Sequence, residues 1–205
     1  MDDRPTDPPA PRWPLPAAPG LREELMAAYA DPKRGYHDVQ HLTEVVERLD
    51  ELAAAGAAFD EVAVLLAAWF HDAVYDGERD AEERSAAWAE HALPGLVDAA
   101  TVAEVARLVR LTESHRPDDA DANGCALSDA DLGILAAPQD RYDAYAAAVR
   151  AEYGHLTDEV FTAGRADVLR DLVAKPRLFH TAYAAAHWEQ PARSNVEREL
   201  SALAS

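Results

Sequence analysis

The chain is poor in almost everything that would tie it to a membrane, a nucleic acid or an oxidising compartment. It has one cysteine, Cys125, so no intrachain disulfide framework is possible. Lys and Arg number 19 against 38 Asp and Glu, a formal net charge of −19. Such a surface repels a phosphate backbone over long range, which argues against a nucleic-acid polymer as partner. A small anion is not excluded, because a metal ion and a few arginines can reverse the potential inside a cleft. No window of 18 residues is apolar without charge, so no membrane span is expected. The opening Met1-Asp2-Asp3-Arg4-Pro5 shows no basic region followed by an apolar one, and a cytoplasmic location is expected by default. Aromatics are only 7 % of the residues, and strand-like alternation is nowhere convincing. P-loop, GxSxG and HExxH patterns are all missing.

What is present is helix. Alanine dominates the apolar content, and alanine is the best helix former. Seven of the 13 prolines fall in residues 1–20, which therefore read as a Pro-rich flexible tail ahead of one domain spanning 21–205. Helices are expected from Leu21 to Pro32 and from Val39 to Ala55. The next runs from Asp60 to Phe70, and VAVLLAAWF within it is apolar nearly all round, marking the central buried helix. Further helices are expected from Asp80 as cap to Ala92, and from Thr101 as cap, with Glu104 in a capping box, to Ser114. A polar loop is expected over 116–127, and a short helix opening at Ser128 or Asp129. Three more should reach Tyr153, run from Thr157 to Ala174, and run from Gln190 to Leu203. Tyr142, Tyr145 and Tyr153 read as core packing on one helix.

Three places combine metal-binding residue types with helix ends: His37 and His41, the adjacent pair His71-Asp72, and Asp129-Ala130-Asp131. Neighbouring residues stand about 100° apart around a helix, so a His-Asp pair cannot normally face one partner. At a helix end the second residue can swing off the axis, and both can reach one ion. Polar groups at the end of a buried helix need partners, and a metal ion satisfies both. Imidazole with carboxylate suits Mn, Fe, Co, Ni or Zn, and a carboxylate-rich set also suits Mg. Read singly, His71-Asp72 is by default a structural hydrogen bond, and Asp129 and Asp131 are by default helix caps.

Together these segments resemble the HD superfamily of metal-dependent phosphohydrolases, and within it a small bacterial group of predicted phosphohydrolases. The resembling stretches are YHDVQHL (36–42), WFHDAVYD (69–76), LTESH (111–115), DADLGIL (129–135), YDAYAAAVRAEY (142–153), FTAGRADVL (161–169) and ARSNVERE (192–199). The resemblance implies an all-α helical bundle around a divalent ion held by His41, His71, Asp72 and either Asp131, which is preferred, or Asp129. It implies hydrolysis of a phosphoester or phosphoanhydride in a small molecule, a nucleotide first, by a metal-bound hydroxide. Asp76 or Glu82 would handle the proton. His37, His115, Arg165 and Arg193 would contact substrate, the arginines as phosphate clamps. Two other readings stay open. One is a di-iron oxygenase, for which His37 and His115 would supply extra ligands; the other is a non-catalytic nucleotide-binding regulatory module. His91, His155, His180 and His187 match no motif and read as ordinary.

Overall fold

The computed structural model describes residues 11–204. Among them the chain is all-helical, with no strand. The elements in order are α1 Pro19–Tyr29, α2 Val39–Ala54, α3 Glu61–Phe70, α4 Ala81–Ala92, α5 Ala99–Leu111, α6 Ala122–Leu132, a 3-10 turn Gly133–Ala136, α7 Gln139–Glu152, α8 Asp158–Ala174, α9 Ala182–His187 and α10 Glu189–Leu203. No helix is long and apolar enough to cross a membrane.

The most apolar helix is the most buried. Every residue of α3 from Ala63 to Phe70 is buried, and α2, α5 and α6 pack around it. Its start is fixed by Asp60, whose carboxylate accepts the amides of Val62 and Ala63. Asp38 does the same for α2 through the amides of Gln40 and His41. A cap on α2 and the end of α3 thereby bring His41 and His71 to the same end of the packed pair.

Two caps, one extra helix and one helix start differ from expectation. Asp98 rather than Thr101 caps α5, accepting the Thr101 amide. Asp80 makes no capping hydrogen bond before α4; its backbone is left-handed, at φ 61°. The short helix α9 was not expected. The largest change is in α6, which begins at Ala122 behind the cap Asp121, inside the expected polar loop. Cys125 is consequently buried in a helix, not exposed in a loop.

The Pro-rich opening divides. Residues 1–10 of the expected tail lie outside the described residues. Residues 11–20 pack against the bundle instead of hanging free. The Trp13 ring meets Trp69 edge-on with centroids 4.9 Å apart. The Trp69 indole N–H donates to the Arg12 carbonyl at 2.8 Å. Arg12 itself pairs with Asp50 and Glu61. Proline limits helix here without preventing a turn-rich segment from docking its tryptophan.

Candidate metal centre

His41 lies in the first turn of α2, His71 directly follows α3, and Asp131 lies in the last turn of α6. Nε2 of His41 and Nε2 of His71 stand 3.0 Å apart. Asp72 Oδ2 is 3.2 Å from the first and 3.1 Å from the second. Asp131 Oδ1 is 3.2 Å and 3.7 Å from them. Ligands about 2.1 Å from one ion stand roughly 3.0 Å apart at right angles and about 3.4 Å apart in a tetrahedron. All but the His71–Asp131 spacing fall in that range, and the buried group His41, His71 and Asp131 could hold a metal ion. Asp72 touches both imidazoles from beside that group of three. Its residue has left the helix, which is how adjacent side chains come to face one point.

The surroundings fix these side chains. The Ala68 carbonyl accepts the N–H of His71 Nδ1 at 2.7 Å, so Nε2 is the nitrogen turned to the cluster. Nδ1 of His41 is buried with no hydrogen-bond partner among the described residues. Packing against the Tyr36 ring, with centroids 4.7 Å apart, is what holds it. Burial works against a charged His71, yet the charges of Asp72 and Asp131 prevail and raise its pKa to about 9. Both carboxyls are held well below their usual range: burial opposes ionisation, and the imidazoles outweigh it.

Asp129 and Asp131 part company because both lie within α6. Two residues along a helix is about 200° of rotation, so only one can face the cluster. Asp129 is buried on the other side. Its carboxylate accepts the amides of His180 at 2.8 Å and Thr181 at 2.7 Å, ahead of α9. The expectation that both carboxylates open a helix fails with the earlier start of α6.

A cavity of about 470 Å³ opens on the centre. Asp72, Asp131, His37, His115, Glu82 and Thr112 form its polar floor, and Arg165 reaches it from α8. His37 precedes the cap Asp38, so it does not share a helical face with His41. It stacks on Tyr75 with centroids 4.0 Å apart, and its Nδ1 lies 2.8 Å from Glu152 Oε2. His115, in a left-handed backbone at φ 48°, sets Nε2 3.4 Å from Asp131 Oδ2 and Nδ1 3.2 Å from Ser128 Oγ. Burial pushes its pKa down.

Three expected roles find other partners. Asp76 does not line the cavity; Arg84 grips it at 2.6 and 2.7 Å, which keeps its carboxyl far below the usual range. Arg193 lies elsewhere, donating to the carbonyls of Val173 and Lys175 and pairing with Glu189 at 2.7 Å, so it ties α8 to α10. Arg165 does face the cavity but is paired with Glu199 at 2.8 Å and stacked over Tyr145. His91, His155, His180 and His187 are outside the cluster. Of the tyrosines, Tyr142 and Tyr145 are core, Tyr145 also bordering the cavity, whereas Tyr153 is exposed and lines it.

Two residues that organise the site gave no signal of their own. Arg34 donates to the carbonyls of His37 and Asp72, both at 2.8 Å, and of Ala73 at 3.0 Å, tying two ligand-bearing turns together. Glu152 accepts the amides of Gly35, Tyr36 and His37 at 2.8–2.9 Å. Gly35 is required for that approach, since a Cβ there would lie 2.5 Å from the Ala148 carbonyl oxygen and 2.7 Å from Glu152 Cγ. Glu152 lies within a stretch marked by the resemblance, but nothing in the pattern assigns it a loop to hold. Compared with known proteins, the chain matches no family model, no curated protein and no solved structure.

Proposed function

We propose that the chain is a metal-dependent phosphohydrolase acting on a phosphoester or phosphoanhydride of a small molecule. The reading rests on one observation: Nε2 of His41, Nε2 of His71 and a carboxylate oxygen of Asp131 lie at ligand spacing, Asp72 sits against both imidazoles, and the two carboxylates line an open cavity. Their order along the chain is the order that resembles the HD superfamily. When bound there, a divalent ion supplies Lewis acidity toward a phosphoryl oxygen and acidifies a water.

The chain's own residues have distinct tasks in this reading. Ala68 fixes which imidazole nitrogen of His71 faces the centre. His115 braces Asp131 from its second oxygen. Glu82 is the cavity carboxylate outside the ligand set, and it takes the proton role that Asp76, held by Arg84, does not. His37, oriented by Glu152, presents its ring to the phosphoryl site beside Asp72.

The two-ion alternative gains no second site: among the described residues only one group of three or more His, Cys, Asp or Glu is placed to hold an ion. The test combines metal analysis of the purified protein with phosphate and pyrophosphate release. Protein loaded with Mn, Co, Mg or Ni is expected to bind one equivalent per chain and to release phosphate from some members of a broad nucleotide and phosphoester panel. No release from any member overturns the proposal.

A further inference from the structure

The walls of the cavity differ from its floor. Tyr145, Val149, Leu156, Val160, Phe161 and Val168 supply apolar lining to the cavity that Asp72 and Asp131 also line. Among the described residues five large hydrophobic side chains are markedly exposed, and three of them, Val160 at 56 %, Val168 at 55 % and Tyr153 at 39 %, line this one cavity. Apolar side chains left open to water around a polar floor are the mark of a ligand with an apolar body. Gly164, one turn from both Val160 and Val168, leaves the α8 side of the wall without a side chain between them.

The available positive charge is scarce. Among the described residues Arg165 is the only Lys or Arg that lines the cavity, and Glu199 neutralises it. Arg34 spends its guanidinium on three backbone carbonyls. Lys175 donates to the carbonyls of Ser114 and His115, and with Arg116 and Arg177 it lines a separate cleft that shares only His115. The cleft that adjoins the cavity past Tyr75, Glu82 and Tyr153 sets the carboxylates of Asp31, Asp76, Glu78, Asp80 and Glu152 against Lys33, His155 and the already engaged Arg34, so it is acidic on balance. A polyphosphate chain leaving Asp131 meets a mostly acidic cleft past Tyr75 and hydrocarbon along α8, and finds basic side chains only beyond His115. One divalent ion against Asp72, Asp131 and Glu82 leaves the polar lining with a net negative charge, which disfavours each further anionic phosphoryl group.

We infer that the substrate is a phosphomonoester whose alcohol is bulky and apolar or aromatic, and that nucleoside di- and triphosphates are disfavoured. This rests on the phosphohydrolase reading for its chemistry. In that step a water oxygen forms the new bond to phosphorus, and the ester P–O bond breaks. One water proton ends on the departing alcohol oxygen and the other stays on phosphate. The choice of ligand, however, rests on the walls and can be tested apart from turnover.

The experiment is calorimetric binding to the full chain with Mn²⁺, using 2-naphthylethylphosphonate, methylphosphonate and a non-hydrolysable triphosphate analogue of adenosine. The naphthyl ligand should bind tighter than methylphosphonate by on the order of 70-fold, the factor expected for burying roughly 100 Å² of apolar surface, and tighter than the triphosphate. Val160→Asp and Val168→Asp, at positions exposed enough to keep the fold, should each cut the naphthyl-to-methyl ratio about tenfold, with helical content checked by circular dichroism. Equal binding of the two phosphonates, tightest binding of the triphosphate, no binding of any, or an unchanged ratio in both folded variants overturns the inference. If the naphthyl preference holds while no phosphoester is ever hydrolysed, the phosphohydrolase reading falls and the ligand class stands.

Discussion

The carbonyl oxygen of Ala68 lies 2.7 Å from Nδ1 of His71. A carbonyl only accepts, so Nδ1 carries a proton and the metal-facing atom is Nε2. The contact is built into the last turn of the most buried helix, and it costs nothing to maintain when an ion comes or goes. His71→Ala removes one of two imidazoles from the cluster, and the remaining carboxylates are poorer ligands for the later transition metals. Affinity for Mn²⁺ or Co²⁺ is expected to fall by at least about tenfold, measured by competition with a chelating dye. Unchanged affinity in the folded variant would remove His71 from the site.

Glu152 makes acid sensitivity local. Burial opposes its ionisation, but the His37 hydrogen bond and charge, with the amides of Tyr36 and His37, prevail and lower its pKa. A carboxyl with a depressed folded pKa stabilises fully above its unfolded value of about 4.3, and that stability is lost as pH falls through the folded value. The turn at 35–37 should therefore loosen at the acid end of that window while the chain still holds together elsewhere. Glu152→Gln should lower stability at neutral pH by about 1–3 kcal/mol and flatten the acid limb of a Tm-against-pH plot. An acid limb identical to that of the parent chain would contradict this role.

How far the sequence could be read depended on range. The apolar run of α3 and the caps Asp38 and Asp60 act within a turn, and their helices form where periodicity puts them. The start of α6 was hidden because Asn123 and Gly124 are poor helix formers beside a cluster of aspartates, so 116–127 looked like a loop. That single error also set Asp129 beside Asp131 in expectation. Asp76 and Arg193 were misassigned for a different reason. A charged side chain in a plausible place says nothing of whether Arg84 or a pair of helix-end carbonyls will claim it first.

Trp13 tests the correction to the opening segment. Composition reads 1–20 as a tail, but Trp13 rests on Trp69 from 56 residues away, and the Arg12 carbonyl satisfies the buried Trp69 indole N–H. Trp13→Ala opens that side of α3 to water. The cost should be about 2 kcal/mol, below that of a fully buried tryptophan, and a fall in Tm of roughly 5 °C in a chain of this size. Thermal unfolding followed by circular dichroism reads it directly. No change in Tm would mean that residues 11–18 contribute no packing.

Asp129 and Asp131 offer the sharpest separation of site from scaffold, because they differ by two positions and face opposite ways. Asp131→Asn keeps the shape but replaces a carboxylate oxygen 3.2 Å from His41 Nε2 with a neutral amide. It should weaken metal binding by at least about tenfold, since an uncharged oxygen is a poorer ligand, and leave most of the stability in place. Asp129→Asn should do the reverse. The amides of His180 and Thr181 lose a charged acceptor, and one end of the new side chain offers them N–H groups in place of oxygen. That change should cost about 1–3 kcal/mol of stability with metal affinity little changed. The pair is informative only as a crossed result, with metal affinity and Tm measured on both. If Asp129→Asn abolished metal binding while Asp131→Asn did not, the assignment of the fourth ligand would have to be exchanged.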